Sequence, residues 1–261
     1  MSISQALYIR LITPVGPLVA VPHISHLDNW IWMVVGILQS NSLALNQSAL
    51  HIPTPACAES RVTTLRRWLQ GRDVEVWTLY RPVLETVLTD WRAVAAPASL
   101  DGVEVFGGRL QIFRLSLQPG CRAIPLVWTI IPGQGVTQMD KLETMLTHAA
   151  QFLQPRVTSV RFLADRGFRD CGWARLCLKL GWNYAIWVAN NTLVDTHHQP
   201  VCPINKLSVG SGQHRYFQNV HLTEEAKFMT NLPVTWTTGD NQHAPDLLAV
   251  ISNQIAGRQR L

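Results

Sequence analysis

Apolar positions recur at helical spacing through the first third of the chain. Trp30, Met33, Val34 and Ile37 fall three or four residues apart, and Val62, Leu65, Trp68 and Leu69 do so again, which predicts amphipathic helices within residues 27–95. The two prolines of His51-Ile-Pro-Thr-Pro-Ala56 mark a break between them, and Gly71 is placed to cap the second helix. A third amphipathic segment, about 74–92, carries Val76, Leu79, Val83, Leu84 and Val87. Strand signals are missing here, so residues 1–96 read as a small all-α N-terminal domain.

From Ala98 the pattern shortens into β-rich runs separated by Gly and Pro. Ser99–Phe106 is a first predicted strand, Gly107-Gly108 a tight turn suited to positive φ, and Leu110–Leu117 a second strand. Gln118-Pro119-Gly120 turns the chain into a third, Ala123–Ile131. A helix over about 137–153 follows, with Met139, Leu142, Met145 and Leu146 on one face. Val157–Ala164 is largely apolar, as a strand covered on both sides would be. A helix with Trp173, Leu176 and Leu180 then leads into the strand Tyr184–Ala189.

Three strands, helix, strand, helix, strand is the order of a ribonuclease-H-like core. The expected fold class is therefore α/β (α+β): a mixed sheet with flanking helices over residues 97–261, a β-rich insertion at about 191–240, and the helical N-terminal domain. Within the insertion, strands are expected at Arg215–Leu222 and Val234–Thr238, and a final helix over about 244–258.

Composition narrows the class. Of 261 residues 47% are apolar and 15% charged, a globular balance rather than a disordered one. The longest apolar run, near Ile31–Leu38, is far short of the roughly 20 residues that cross a bilayer, and no export signal opens the chain. The five cysteines, Cys57, Cys121, Cys171, Cys177 and Cys202, are odd in number and scattered, so reduced thiols in a cytoplasm are expected rather than zinc or a redox pair. A net charge of +5 permits a polyanionic partner. Arg61, Arg66, Arg67 and Arg72 cluster early and Arg161, Arg166 and Arg169 late, two basic stretches that would suit a phosphate backbone.

Asp101 lies in the first predicted strand of the core and Asp165 directly after the fourth, in Phe162-Leu-Ala-Asp165-Arg-Gly-Phe168. If those strands are neighbours the carboxylates converge, and a divalent cation relieves their repulsion. Oxygen-only ligands with open positions select Mg²⁺ or Mn²⁺, ions suited to phosphodiester transfer. The plainer reading makes Asp165 a helix N-cap and Asp101, beside Gly102, a turn former.

Asp165-Arg-Gly-Phe-Arg-Asp170, followed by Trp173, Leu176 and Gly181-Trp-Asn-Tyr-Ala-Ile186, resembles the block around the second catalytic aspartate of DDE transposases of the insertion-sequence-4 type. Ile112-Phe-Arg-Leu-Ser-Leu117 and Gly120-Cys-Arg-Ala-Ile-Pro-Leu-Val-Trp128 resemble the strand pair that follows the first aspartate in that family, and Asp101 stands in that place. The resemblance implies metal-binding carboxylates at Asp101 and Asp165, and Arg166 as a phosphate or structural neighbour. It further implies that Gly167 lets the backbone turn into the next helix, while Phe168 reads as core. It implies cut-and-paste DNA transposition on transposon terminal repeats and a target, a homodimer on DNA, Arg66, Arg67, Arg166 and Arg169 as DNA contacts, and a bacterial cytoplasmic, nucleoid-associated setting without a membrane.

Two departures stand out. Trp187 occupies a position where the family often has arginine, and the family's third carboxylate, on a helix with a tyrosine, arginine, glutamate and lysine at fixed spacing, has no counterpart in this sequence. A C-terminally truncated transposase is therefore expected, and the alternatives are a non-catalytic remnant that at most binds DNA, or a metal-dependent nuclease of the same fold. Glu224, Glu225, Asp240 and Asp246 read as solvated surface acids. His197-His198 lacks companions at ligand spacing, and Gly210-Ser-Gly212 lacks the lysine of a phosphate loop.

Overall fold

A computed structural model describes residues 1–71, 75–89, 91, 95–120, 122–133, 139–168, 171–222, 227–237 and 246–254. The chain divides into two compact units, Met1–Trp91 and Arg92–Leu261.

The first unit is helical: α1 (Ile3–Val15), α2 (Ile24–Ser40), the single turn α3 (Leu45–Ser48), α4 (Ala58–Gln70) and α5 (Val76–Val87). The α1 helix has no counterpart in the sequence reading and is held by a capping box between Ser2 and Gln5. Leu27, Ile31 and Val35 of α2 are buried at helical spacing, with Tyr8 of α1 stacked on Trp32 at 4.3 Å. Gly36 lets α2 lie against the short turn beyond it, since a Cβ there would come 2.6 Å from the Ser48 carbonyl oxygen. Gly71 does cap α4, but in an extended conformation (φ −64°) rather than the left-handed one. Arg61 does not join a basic surface: its Nη1 donates to the carbonyls of Ala49 and Ile52.

The second unit is built on one sheet of ten described strands in the order β3-β2-β1-β4-β5-β10-β9-β8-β6-β7. Its core comprises β1 (Ala95–Val105), β2 (Leu110–Leu117), β3 (Ile124–Pro132), α6 (Met139–Leu153), β4 (Ser159–Ala164), α7 (Cys171–Lys179) and β5 (Asn183–Val188). The first three strands pair antiparallel, while β4 is parallel to both β1 and β5. That order and those directions make the fold ribonuclease-H-like, a mixed α+β architecture. The β1–β2 turn uses Gly107 and Gly108 at φ 65° and 81°, a conformation open to glycine at no steric cost. On one face Ala98, Leu100, Phe162 and Ala164 are buried, and Trp173 of α7 stacks on Phe162 at 6.1 Å.

The sheet continues through β6 (Leu193–Asp195), β7 (Cys202–Pro203), β8 (His214–Leu222), β9 (Phe228–Trp236) and β10 (Leu247–Ser252). The final helix expected over 244–258 is instead the strand β10 where the structure describes it. β10 lies between β5 and β9 and is antiparallel to both. Leu247, Ala249 and Ile251 are buried while Leu248 and Val250 are partly so, the signature of a strand covered on both faces. Asn253 fastens its end, accepting from the Tyr184 N–H at 3.0 Å and donating to the Trp182 carbonyl at 3.3 Å.

Candidate functional site

The site begins with a register. β1 and β4 run side by side from Ala95 opposite Ser159 to Leu100 opposite Ala164, and the next residue on each is an aspartate. Alternation places Leu100 and Ala164 in the core and turns Asp101 and Asp165 to the other face. The two carboxylates sit where the parallel pairing ends, at the carboxyl edge where α/β sheets bind ligands. Both line one cavity of about 560 Å³, together with Ser99, Gln118 and Trp187.

Each carboxylate has a neighbour that orients it. Asp101 is the cross-strand partner of Arg114, whose Nη2 lies 3.6 Å from its Oδ2. Asp165 Oδ1 accepts the Gly167 N–H at 2.9 Å, so it caps the short 3-10 turn Arg166–Phe168. Gly167 leaves room for the carboxylate rather than making a sharp turn: a Cβ there would come 3.0 Å from Asp165 Oδ1. Phe168 is core, with its ring edge-on to Trp173 at 5.3 Å.

Arg166 is held at the rim. Its Nη2 lies 2.8 Å from Asp246 Oδ2, and its guanidinium stands 5.9 Å from the Trp187 ring, within cation–π range. Asp246 is thus not simply a solvated surface acid. Its N–H donates to Thr237 Oγ1 at 2.8 Å, and Asn190 Nδ2 reaches its Oδ1 at 3.5 Å. Arg66 and Arg67 are exposed on α4 of the first unit. Arg169, Arg72, Cys121, Glu224, Glu225 and Asp240 lie outside the described residues.

The residues suit a hard divalent cation. Mg²⁺ is commonly held by one or two carboxylates, with water and substrate phosphate completing its shell, and Asp101 and Asp165 offer that donor set beside the Ser99 and Gln118 side chains. Among the described residues they form no group of three with a further His, Cys, Asp or Glu. The group of three that does form is Asp195, His197 and His221, which corrects the reading of His197 as lacking companions: Asp195 precedes it by two residues and His221 comes from β8, the strand paired with β6.

Arg114 escaped the sequence reading, and Asp246 was read there as a surface acid with no partner at this site. The first was within reach, because the Gly107-Gly108 turn that sets Val105 opposite Leu110 also carries Asp101 to Arg114. The second depends on β10 lying beside β5, which no local pattern reveals.

No protein-family model matches the chain, and no curated protein does. Among solved structures it is similar to a piggyBac transposase synaptic complex with hairpin DNA, at 11% identity and a TM-score of 0.41 over 90% of this chain and 52% of that one. It is also similar to the Argonaute of Marinitoga piezophila in complex with 5′-OH guide RNA and target DNA, at 10% identity and a TM-score of 0.31 over 76% of this chain and 30% of that one. The same Argonaute with guide RNA gives 9% identity and a TM-score of 0.32 over 81% and 32%. The chain therefore spans about half the length of the piggyBac chain and about a third of the Argonaute chains.

Proposed function

We propose that this protein is a DNA transposase of the DDE class, of the insertion-sequence-4 type, in which Asp101 and Asp165 bind Mg²⁺ or Mn²⁺. The observation that supports this reading best is the pairing of Leu100 with Ala164, which brings the two motif aspartates side by side just beyond the last register pair of neighbouring parallel strands. A divalent cation bound there supplies Lewis-acid stabilisation of the phosphodiester oxygens.

The protein's own groups do the positioning. The Gly167 N–H donates to Asp165, and Arg114 stands beside Asp101 at the same cavity. Arg166 meets a phosphate at the rim, and Arg66 and Arg67, in a helical domain taken as residues 1–96, grip DNA without reading its sequence.

The test is Mg²⁺-dependent strand cleavage and joining on duplex DNA carrying the terminal repeats that flank the gene, with Asp165→Asn as control. Cleavage followed by strand transfer, abolished in the variant, is expected. Cleavage without joining would replace the reading with a nuclease, and DNA binding without cleavage would replace it with a non-catalytic DNA-binding remnant.

A further inference from the structure

We propose a second, separate metal site formed by Asp195, His197 and His221, selective for an imidazole-seeking divalent ion such as Zn²⁺ rather than Mg²⁺. The site is on the same sheet as the aspartate pair, but β6 lies five strands from β4, roughly 24 Å at about 4.8 Å per strand.

Three features of the chain assemble it. Asp195 and His221 are directly opposed in the β6–β8 ladder, and the adjacent pair, Val194 and Leu222, is buried, so Asp195 and His221 share the outward face. His197, two residues beyond, adopts φ 62° and doubles back, its N–H donating to Asp195 Oδ1 at 2.8 Å. Its ring then stands edge-on to His221 with centroids 5.0 Å apart. One ligand atom from each residue lies within 4.8 Å of the others. Small side-chain rotations close that spacing to the roughly 3.4 Å between ligands at tetrahedral zinc with bonds of about 2.0–2.1 Å.

The hydrogen bonds favour a cation over a bare cluster. His197 Nε2 lies 3.1 Å from the Asn219 carbonyl oxygen, which can only accept, so Nε2 donates there and Nδ1 is the ring nitrogen left to meet an ion. Nδ1 lies 3.6 Å from Asp195 Oδ1. A backbone carbonyl that fixes the tautomer of a histidine through its second nitrogen is the usual support of a metal ligand. Asn219 presents that carbonyl from an irregular stretch of β8, where the register slips between Phe217 and Val220 and Asn219 itself has φ 52°. Two imidazoles and one carboxylate form a borderline-soft set suited to zinc. With His197 and Asp195 about half and one third exposed, a fourth position is left to water. Bound there, the ion ties the β6 end to β8.

The experiment uses the full chain, free of affinity tag and reduced, carrying Asp101→Asn and Asp165→Asn so that the other carboxylate pair is silent. Zn²⁺ is titrated calorimetrically, and Co²⁺ is used as a visible probe. One Zn²⁺ per chain is expected, with a rise in Tm and Co²⁺ d–d bands free of thiolate charge transfer. Affinity should fall at least tenfold in His221→Gln, and also in Asp195→Asn, whose amide oxygen still accepts the His197 N–H and so preserves the turn. Absence of stoichiometric binding, undiminished affinity in both variants, or a thiolate band assigning the ion to cysteine would each overturn the proposal. Because the aspartate pair is disabled throughout, the outcome is independent of the transposase reading.

Discussion

The guanidinium of Arg166 lies 2.8 Å from the carboxylate of Asp246, eighty residues onward and immediately before β10, the strand that pairs with β5. This cation of the Asp165 motif is thus partly neutralised, and on the transposase reading a carboxylate stands where a phosphate would dock. Asp246→Asn is expected to tighten DNA binding and steepen its salt dependence by about one in the log–log slope, and Arg166→Ala to weaken binding and reduce the slope by about one. Fluorescence anisotropy across a salt series measures both. Both side chains are about half exposed, so each variant should change stability by under about 1 kcal/mol.

Gly167→Ala should damage the site more than the fold. The added methyl would crowd Asp165 Oδ1 at 3.0 Å, displacing the carboxylate from the orientation its hydrogen bond sets. Reaction geometry is sensitive to shifts of about 1 Å, at a cost approaching 10²-fold. A loss of about tenfold or more in Mg²⁺-dependent cleavage, with an unchanged thermal melt, is expected. Unaltered cleavage rates would show that this carboxylate does not need its present orientation.

In the helical unit Gly36→Ala should destabilise, although alanine is the better helix former by about 1 kcal/mol. The new Cβ would meet the Ser48 carbonyl oxygen at 2.6 Å and its Cβ at 2.8 Å. Backbone cannot swing aside as a side chain can, so a net cost of about 1–3 kcal/mol is expected, read by urea unfolding followed by circular dichroism. A stabilised variant would mean that the two segments do not lie this close.

Burial pushes the Cys177 thiol up from 9.0 to about 12. A thiol raised in the folded state stabilises the fold fully below its unfolded value and loses that contribution as pH climbs. The stability tied to Cys177 is therefore present below about pH 9 and lost progressively toward pH 12. Urea midpoints measured across that window should decline, and less steeply in Cys177→Ala. At pH 8 a thiol reagent should modify the exposed Cys57 promptly and the buried Cys177 only on unfolding.

The core of the fold was legible because its strands announce themselves. Val157–Ala164 is an apolar run too short for a helix, and Gly107-Gly108 and Gln118-Pro119-Gly120 punctuate the first three strands. The neighbourhood of Asp101 and Asp165 rested on one condition, that β1 and β4 be neighbours, and the sheet order meets it. The 244–258 segment was misread because Leu247, Leu248, Val250 and Ile251 fit a helical and an extended period equally. What decides between them is two strands, β5 and β9, offering ladders on either side. Asp246 beside Arg166, and His221 beside His197, depend on that same long-range pairing, and no spacing along the chain encodes it.

The most direct test is Mn²⁺ binding followed by electron paramagnetic resonance, in a chain carrying His221→Gln so that only the aspartate pair is probed. The account predicts a bound Mn²⁺ signal that Mg²⁺ displaces and that both Asp101→Asn and Asp165→Asn greatly weaken. Binding that persists unchanged in those two variants would contradict it, and would place the ion somewhere other than between β1 and β4.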